Sequence, residues 1–291
     1  MQLIARVRKP AYIYRPDQLL RRSTTRRAPT AEMRVVLPWG LPIVVSGTDL
    51  LGRGIIRRNV HELAVTEVAW RLTDASDIAV DVGANSGYFT ALLAFRARRV
   101  LAFEPHPALA VRLSATVAAW PAPYRDRVTV SASAVSHRAG AAPLSIPAGF
   151  DRNEGIASLD GARSKETIDV ATVTLDEALG ERRVGVLKLD VEGHELAALE
   201  GARRLLSSGA IRDVLFEEHH SLPSIVSRHL AEHGYAVFGL RERLRGVLLA
   251  DPRTTQLQWD APTYLATLDP DRATARIRLN GWNCLRPRPS A

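Results

Sequence analysis

From Ile78 onward, short apolar runs alternate with amphipathic segments, and no other feature constrains the fold as tightly. IAVDV (78–82) precedes a helix expected over about 87–96, and VLAFE (100–104) precedes one over 108–119. VTVSAS (128–133) adds a strand, VGVLKLD (184–190) leads into a helix over 195–206, and DVLFE (213–217) leads into one over 224–233. Strands that alternate with helices in this way are buried on both faces, so the pattern predicts an α/β fold with a parallel sheet. Ahead of it, RVVLPWGLPIVVS (34–46) reads as a hairpin and NVHELAVTEVAWRL (59–72) as a helix with His61 and Glu62 at its start. YAVFGL (235–240) and PTYLATL (262–268) can pair as antiparallel strands closing one edge. The stretch 140–167, with Pro143, Pro147, Gly149, Gly155 and Gly161, reads as a long irregular connection, either functional or a surface insertion without a role. The expected divisions are a basic lead (1–30), a hairpin-and-helix annex (31–76), a main domain (77–270) and a tail (271–291).

With 291 residues, 46% of them apolar, the chain can bury a substantial core. One cysteine, Cys284, excludes an internal disulfide and offers no cysteine pair for zinc, so a cytoplasmic setting is expected. No apolar run approaches the roughly 20 residues that span a bilayer. The net charge of +8 invites a nucleic-acid reading, but residues 1–30 carry eight basic residues against Asp17, which leaves the body nearly neutral. That lead reads as a solvated arm, with a phosphate- or membrane-binding arm or a helix docked on a partner subunit as alternatives.

The turn that follows the first strand, DVGANSG (81–87), sits where an open parallel sheet keeps its ligand crevice. Gly83 lets backbone pass close to a ligand, Gly87 lets the next helix begin against the strand, and Asp81 and Asn85 offer polar atoms. Asn85 occupies the place of the second glycine of G-x-G-x-x-G, which disfavours a dinucleotide pyrophosphate. Glu104 ends the second strand 21 residues after Gly83, near the spacing at which an acid receives ribose hydroxyls. A nucleoside-type ligand is expected.

DVGANSGYFT, VLAFEPHP and LKLDVEGHELAALEGARRLL together resemble the FkbM family of S-adenosylmethionine-dependent methyltransferases, over nearly all of the chain except the lead and the last residues. The resemblance implies a class I (Rossmann-like) seven-stranded sheet in the order 3-2-1-4-5-7-6 with strand 7 antiparallel. It also implies methyl transfer, usually to a hydroxyl of a sugar or natural-product scaffold. On that basis Asp81, Gly83, Asn85 and Gly87 are assigned to the methionine and ribose region and Glu104 to the ribose diol, while the strand order puts Asp190 beside the donor methyl group and so among the cofactor-binding residues. NEGIASL resembles a family segment beside the active site, which makes Asn153 and Ser158 candidate substrate contacts, with Glu192 and His194 as further ones in the loop after strand 4. His194 stands where the family is permissive, so its imidazole has no implied role.

In that strand order Asp190, Glu192 and Glu217 gather around one crevice, an arrangement suited to the sulfonium charge of the methyl donor. An alcohol is a poor nucleophile, and its proton must be taken as the oxygen attacks. Asp190 is the better-placed base and His219 the better-matched one, with Glu217 alongside. Asp190, Glu217 and Glu218 could instead hold Mg²⁺ or Mn²⁺. Two other readings are a nucleic-acid methyltransferase, against which stands the absence of an Asn-Pro-Pro-Tyr segment or a Pro-Cys nucleophile, and a non-catalytic S-adenosylmethionine-binding module serving as a partner or regulator; whichever holds, the chain could form a homo-oligomer.

Overall fold

The computed structural model describes residues 32–150, 154–155, 157–159, 166–220, 222–254 and 262–286; the basic lead and Asn153 lie outside them. β1 (Glu32–Val36) and β2 (Pro42–Ser46) form the expected antiparallel hairpin. α1 (Leu50–Arg58) starts at Asp49, whose Oδ2 accepts the Gly52 N–H at 2.7 Å. It lies so close to the hairpin that a Cβ on Gly52 would sit 2.1 Å from the Ser46 carbonyl oxygen. Every residue of α2 (Leu63–Leu72) is buried, Glu67 and Arg71 included. That burial follows from its position between annex and main sheet.

The main domain continues through β3 (Ile78–Val82), α3 (Tyr88–Arg96), β4 (Arg99–Phe103), α4 (Pro107–Ala118), α5 (Ala122–Arg125), β5 (Val128–Ser131), β6 (Ala134–Val135), β7 (Gly140–Ile146) and β8 (Glu166–Val173). After α6 (Leu175–Leu179) come β9 (Val184–Leu189), α7 (Glu195–Glu200), α8 (Arg203–Ser207), β10 (Ile211–Glu217), α9 (Ile225–Glu232), β11 (Ala236–Arg243), β12 (Gly246–Ala250), β13 (Thr263–Thr267) and α10 (Pro270–Ile277). The main sheet runs β12-β11-β13-β10-β9-β3-β4-β5. β5, β4, β3, β9 and β10 are parallel, and β13 is antiparallel to both β10 and β11.

Strand count and order therefore depart from the seven-stranded expectation by one added strand. β12 folds back on β11 through a tight turn whose Gly246 has φ +134°, and it takes the edge; β13 lies inside the sheet. Two other expectations need correction. The stretch after Gly140 begins as β7, which pairs with β8 in a separate three-stranded sheet, β6-β8-β7. The helix expected over 195–206 is broken between α7 and α8, where Gly201 approaches Ser136 so closely that a Cβ would meet its carbonyl oxygen at 2.1 Å.

The sheet separates two apolar clusters, one joining α2, α3 and the annex and the other joining α7, α8 and α9. Among the described residues no helix is long and apolar enough to cross a membrane. The boundary drawn at residue 271 falls within α10, and residues 270–285 pack onto the domain instead of trailing from it. At the end of the sheet opposite the strand carboxyl termini, Arg272 pairs with Asp213 at 3.1 Å and with Asp74 at 2.7 Å, while Arg276 reaches Asp74 at 2.5 Å. Glu67 accepts the backbone N–H groups of Asn283 and Cys284, each at 2.9 Å, and the Arg71 Nε at 2.6 Å. Removing this fully buried carboxylate strands Arg71 without its counter-charge, so Glu67→Ala is expected to cost about 3–5 kcal/mol in urea unfolding. Truncation after Gly281 should cost less than additively in that background, because both changes cut the same contacts.

Candidate active site

A cleft of about 330 Å³ opens at the carboxyl ends of β3, β4, β9 and β10, with α1 and the start of α2 forming its far wall. Its geometry begins at Gly83. At φ +78° a Cβ there would lie 1.8 Å from the Asp190 carbonyl oxygen, while the Asp190 N–H donates to Val82 O at 3.1 Å. What this glycine clears is therefore the end of β9, where a ligand was expected to pass. Gly87, at φ +84°, starts α3 without a side-chain cap, and its missing Cβ makes room for the Leu113 side chain.

Between these glycines, Asn85 takes the left-handed conformation at φ +48° and its N–H donates to Glu104 Oε2 at 2.8 Å. The other Glu104 oxygen accepts the His106 N–H at 2.9 Å. Burial pushes the Glu104 carboxyl up to about 7 against these two hydrogen bonds. Asn85 Oδ1 and Ser86 Oγ are buried and find no partner among the described residues, although both residues line the cleft. Asp81 accepts the Thr90 hydroxyl at 2.5 Å, and burial raises its carboxyl to about 6 despite that bond.

Lys188 is 1% exposed inside β9, with its ammonium 2.9 Å from Asp190 Oδ2 and 5.1 Å from the Phe89 ring centre. Burial opposes the charge, but Asp190 and then Glu62 outweigh it and hold the ammonium protonated. Asp190 in turn stays ionised: burial works against it, and Lys188 together with a hydrogen bond from Glu217 holds it below the usual carboxylate range. Burial and the Asp190 charge push Glu217 far up, so Glu217 keeps its proton and donates it to Asp190.

The remaining expected residues divide. Glu192, in the left-handed region at φ +52°, lines the cleft, and burial followed by the Asp190 charge raises it to about 7. Ser158 donates to the Glu192 carbonyl at 2.8 Å, so it shapes the loop that carries Glu192. His194 is buried with Nε2 3.0 Å from Ser136 Oγ. His219 is 61% exposed and lies 3.3 Å from Glu217. Glu192, Glu217 and His219 can bring ligand atoms within 4.8 Å of one another. Glu218 does not join them, because its Oε1 accepts both the N–H and Nδ1 of His220, so the Asp190–Glu217–Glu218 metal grouping is not formed.

The cleft also holds residues that were not singled out from sequence: Arg58, His61 and Glu62 from the annex, Lys188, and Glu154, whose N–H donates to Asp49 Oδ1 at 3.0 Å and whose carboxylate pairs with Arg112. The one signal available for them was Lys188, a charge in the middle of an apolar strand.

A family model described as the methyltransferase FkbM domain matches residues 81–237. No curated protein matches the chain. Among solved structures, an FkbM methyltransferase from Methylobacillus flagellatus KT is similar at 19% identity, over 66% of this chain and 44% of that one, with a TM-score of 0.46. An rRNA methylase from Streptococcus thermophilus follows at 11%, 69%, 91% and 0.37. A precorrin-6y C5,15-methyltransferase from Geobacter metallireducens GS-15 gives 14%, 70%, 87% and 0.38. The chain thus spans under half the length of the Methylobacillus protein.

The site makes a pH prediction. Glu104 is raised to about 7, so between its unfolded value of about 4.3 and that point the native state binds more protons than the unfolded chain. Its contribution is fully present at acid pH and is lost as pH rises through 7, amounting to at most about 4 kcal/mol. Urea midpoints between pH 4 and 8 should therefore fall less steeply in Glu104→Gln than in wild type.

Proposed function

Because the chain belongs to the FkbM methyltransferase domain family, matched over more than half its length, we propose that it is an S-adenosylmethionine-dependent O-methyltransferase acting on a hydroxyl of a sugar or natural-product scaffold. The observation that carries the donor assignment is the pair of buried, unpartnered atoms Asn85 Oδ1 and Ser86 Oγ, beside a Glu104 carboxyl with lone pairs to spare. Buried polar atoms of this kind are costly unless a ligand completes them. Glu104 would accept the ribose hydroxyls, and Asn85 and Ser86 would meet polar atoms of the same molecule.

When bound, the donor supplies an electrophilic methyl group on a sulfonium cation. The carboxyls of Glu62 and Glu192, with the ionised Asp190 balanced by Lys188, would set a negative potential where that cation sits. Glu217 keeps a proton aimed at Asp190, which fixes the orientation of both carboxyl groups. Asp190 is a weak base in this setting, and its proposed role is charge stabilisation. The nearly neutral body and the single cysteine suit a cytoplasmic enzyme for small hydroxylated acceptors. A divalent ion on Glu192, Glu217 and His219 is the second reading, favoured by the proximity of their ligand atoms.

Calorimetry should detect binding of S-adenosylmethionine and S-adenosylhomocysteine with NAD inert, and Glu104→Ala should weaken that binding by about 1–3 kcal/mol. Absence of binding would overturn the donor assignment. With labelled donor and a panel of methyl glycosides and hydroxylated macrolides, loss of the Asp190 charge should lower turnover at least about 100-fold and weaken S-adenosylmethionine binding more than S-adenosylhomocysteine binding. Asp190→Asn alone leaves Lys188 buried without a counter-charge, so the Lys188→Met/Asp190→Asn double variant is the matched control. Inactivation by EDTA with recovery in Mg²⁺ or Mn²⁺ would favour the metal reading; indifference to EDTA removes it.

A further inference from the structure

Most carboxyl groups of the cleft are poorly suited to taking a proton from an alcohol. Asp190 is paired with Lys188 and accepts from Glu217, which is itself protonated. Asp81 is bound to Thr90, and Glu104 to two backbone N–H groups. His219 is mostly in solvent. Besides Glu192 and Glu62, the group that remains is His61, the imidazole at the start of α2 in the annex and outside the matched stretch 81–237.

Its imidazole lines the cleft together with Asp190, and a quarter of the side-chain surface stays open, at 25%. Neighbours fix it from several sides. The Tyr88 ring meets it edge-on at 5.9 Å, and the Thr66 hydroxyl donates to the His61 carbonyl at 2.6 Å and contacts the Tyr88 hydroxyl at 3.1 Å. Glu62 Oε1 lies 3.8 Å from Nε2, and the other Glu62 oxygen is buried without a partner among the described residues. Glu62 is also held at φ +39°, a conformation non-glycine residues avoid and which collects at functional sites.

The charged groups that face this imidazole are Glu62 on its own segment, Arg58 on α1, and Asp190 and Lys188 at the end of β9; the Tyr88 hydroxyl on α3 stays neutral because burial raises it. Burial is the largest influence and lowers the proton affinity of the ring, with Arg58 and Lys188 adding to that and Glu62 and Asp190 opposing it. The imidazole is therefore neutral near pH 7 and free to accept a proton.

We propose that His61 is the general base of the methyl transfer, with Glu62 as the counter-charge of the imidazolium that forms. This rests on the O-methyltransferase reading above. The acceptor O–H bond breaks with its proton passing to the imidazole; the oxygen forms a bond to the methyl carbon, and the pair of the broken C–S bond stays on sulfur as a neutral thioether. The annex thus supplies the acceptor half of the site, and the matched domain supplies the donor half.

The test uses the full chain labelled at histidine, with the His61 resonance assigned by its loss in His61→Gln. Its titration is followed by NMR with saturating S-adenosylmethionine and, separately, with S-adenosylhomocysteine. Only the former carries a sulfonium charge, so a neighbouring imidazole should titrate at least about half a unit lower with it. Equal titrations with both ligands would overturn the proposal while leaving the donor reading intact. Failure of either ligand to bind would overturn both. With any alcohol of the panel that accepts methyl, His61→Gln should lower kcat about 100-fold or more and abolish the acid limb of the pH profile. A full-rate variant would be decisive against it.

Discussion

Lys188 is an ammonium in the interior of a central strand with 1% of its surface exposed, and a charge so placed is tolerated only with a counter-charge in contact. Asp190 meets that need at 2.9 Å, and the geometry of the cleft follows from it. The carbonyl of the same Asp190 presses against Gly83, and its N–H is held by Val82, so the ends of β3 and β9 are locked together. Glu217, at the end of β10, keeps its proton because Asp190 cannot. One buried ion pair thereby sets the protonation of two carboxyl groups, and Asp190 itself touches the ends of β3 and β10.

The second dependence is on the annex. The matched family segment begins at Asp81, yet the cleft is closed by residues before it: Arg58, His61 and Glu62. Their position is secured through α2, whose buried Glu67 and Arg71 reach across to the backbone of residues 276–284. The tie at the back of the molecule thus bears on the front, because the helix that carries the clasp begins at the cleft.

Much of this was legible in the sequence where local chemistry decides the outcome. The strand, glycine turn and terminal acid from Asp81 to Glu104 could be read directly, because positive φ at Gly83 and Gly87 and an acid at the end of β4 leave compositional marks. The long-range features left none. β12 is a five-residue run whose pairing depends on a two-residue turn, and Gly201 breaks a helix because of Ser136, 65 positions away. His61 reads as the first turn of an amphipathic helix, and only the packing of the start of α2 against Tyr88 of α3 brings its ring into the same cleft as Asp190. Asp190 lines the cleft, and its pairing with Lys188 leaves no local mark, since a lysine two residues earlier reads as an interruption of an apolar strand.

The proton distribution in the cleft bears on the chemistry proposed for it. Lys188 and Asp190 cancel, so the pair by itself attracts neither sign strongly. What remains are Glu62, with a buried unpartnered oxygen, and Glu192 and Glu217, both raised by burial and by the Asp190 charge. A sulfonium entering this space would lower the proton affinity of those carboxyls and strengthen the attraction that holds it. With the methyl group transferred, sulfur would be uncharged, the carboxyls would take protons back more readily, and that attraction would disappear. The same acids would then favour the charged donor over the neutral product without a contact that separates the two by shape, which is the asymmetry a transferase needs to turn over.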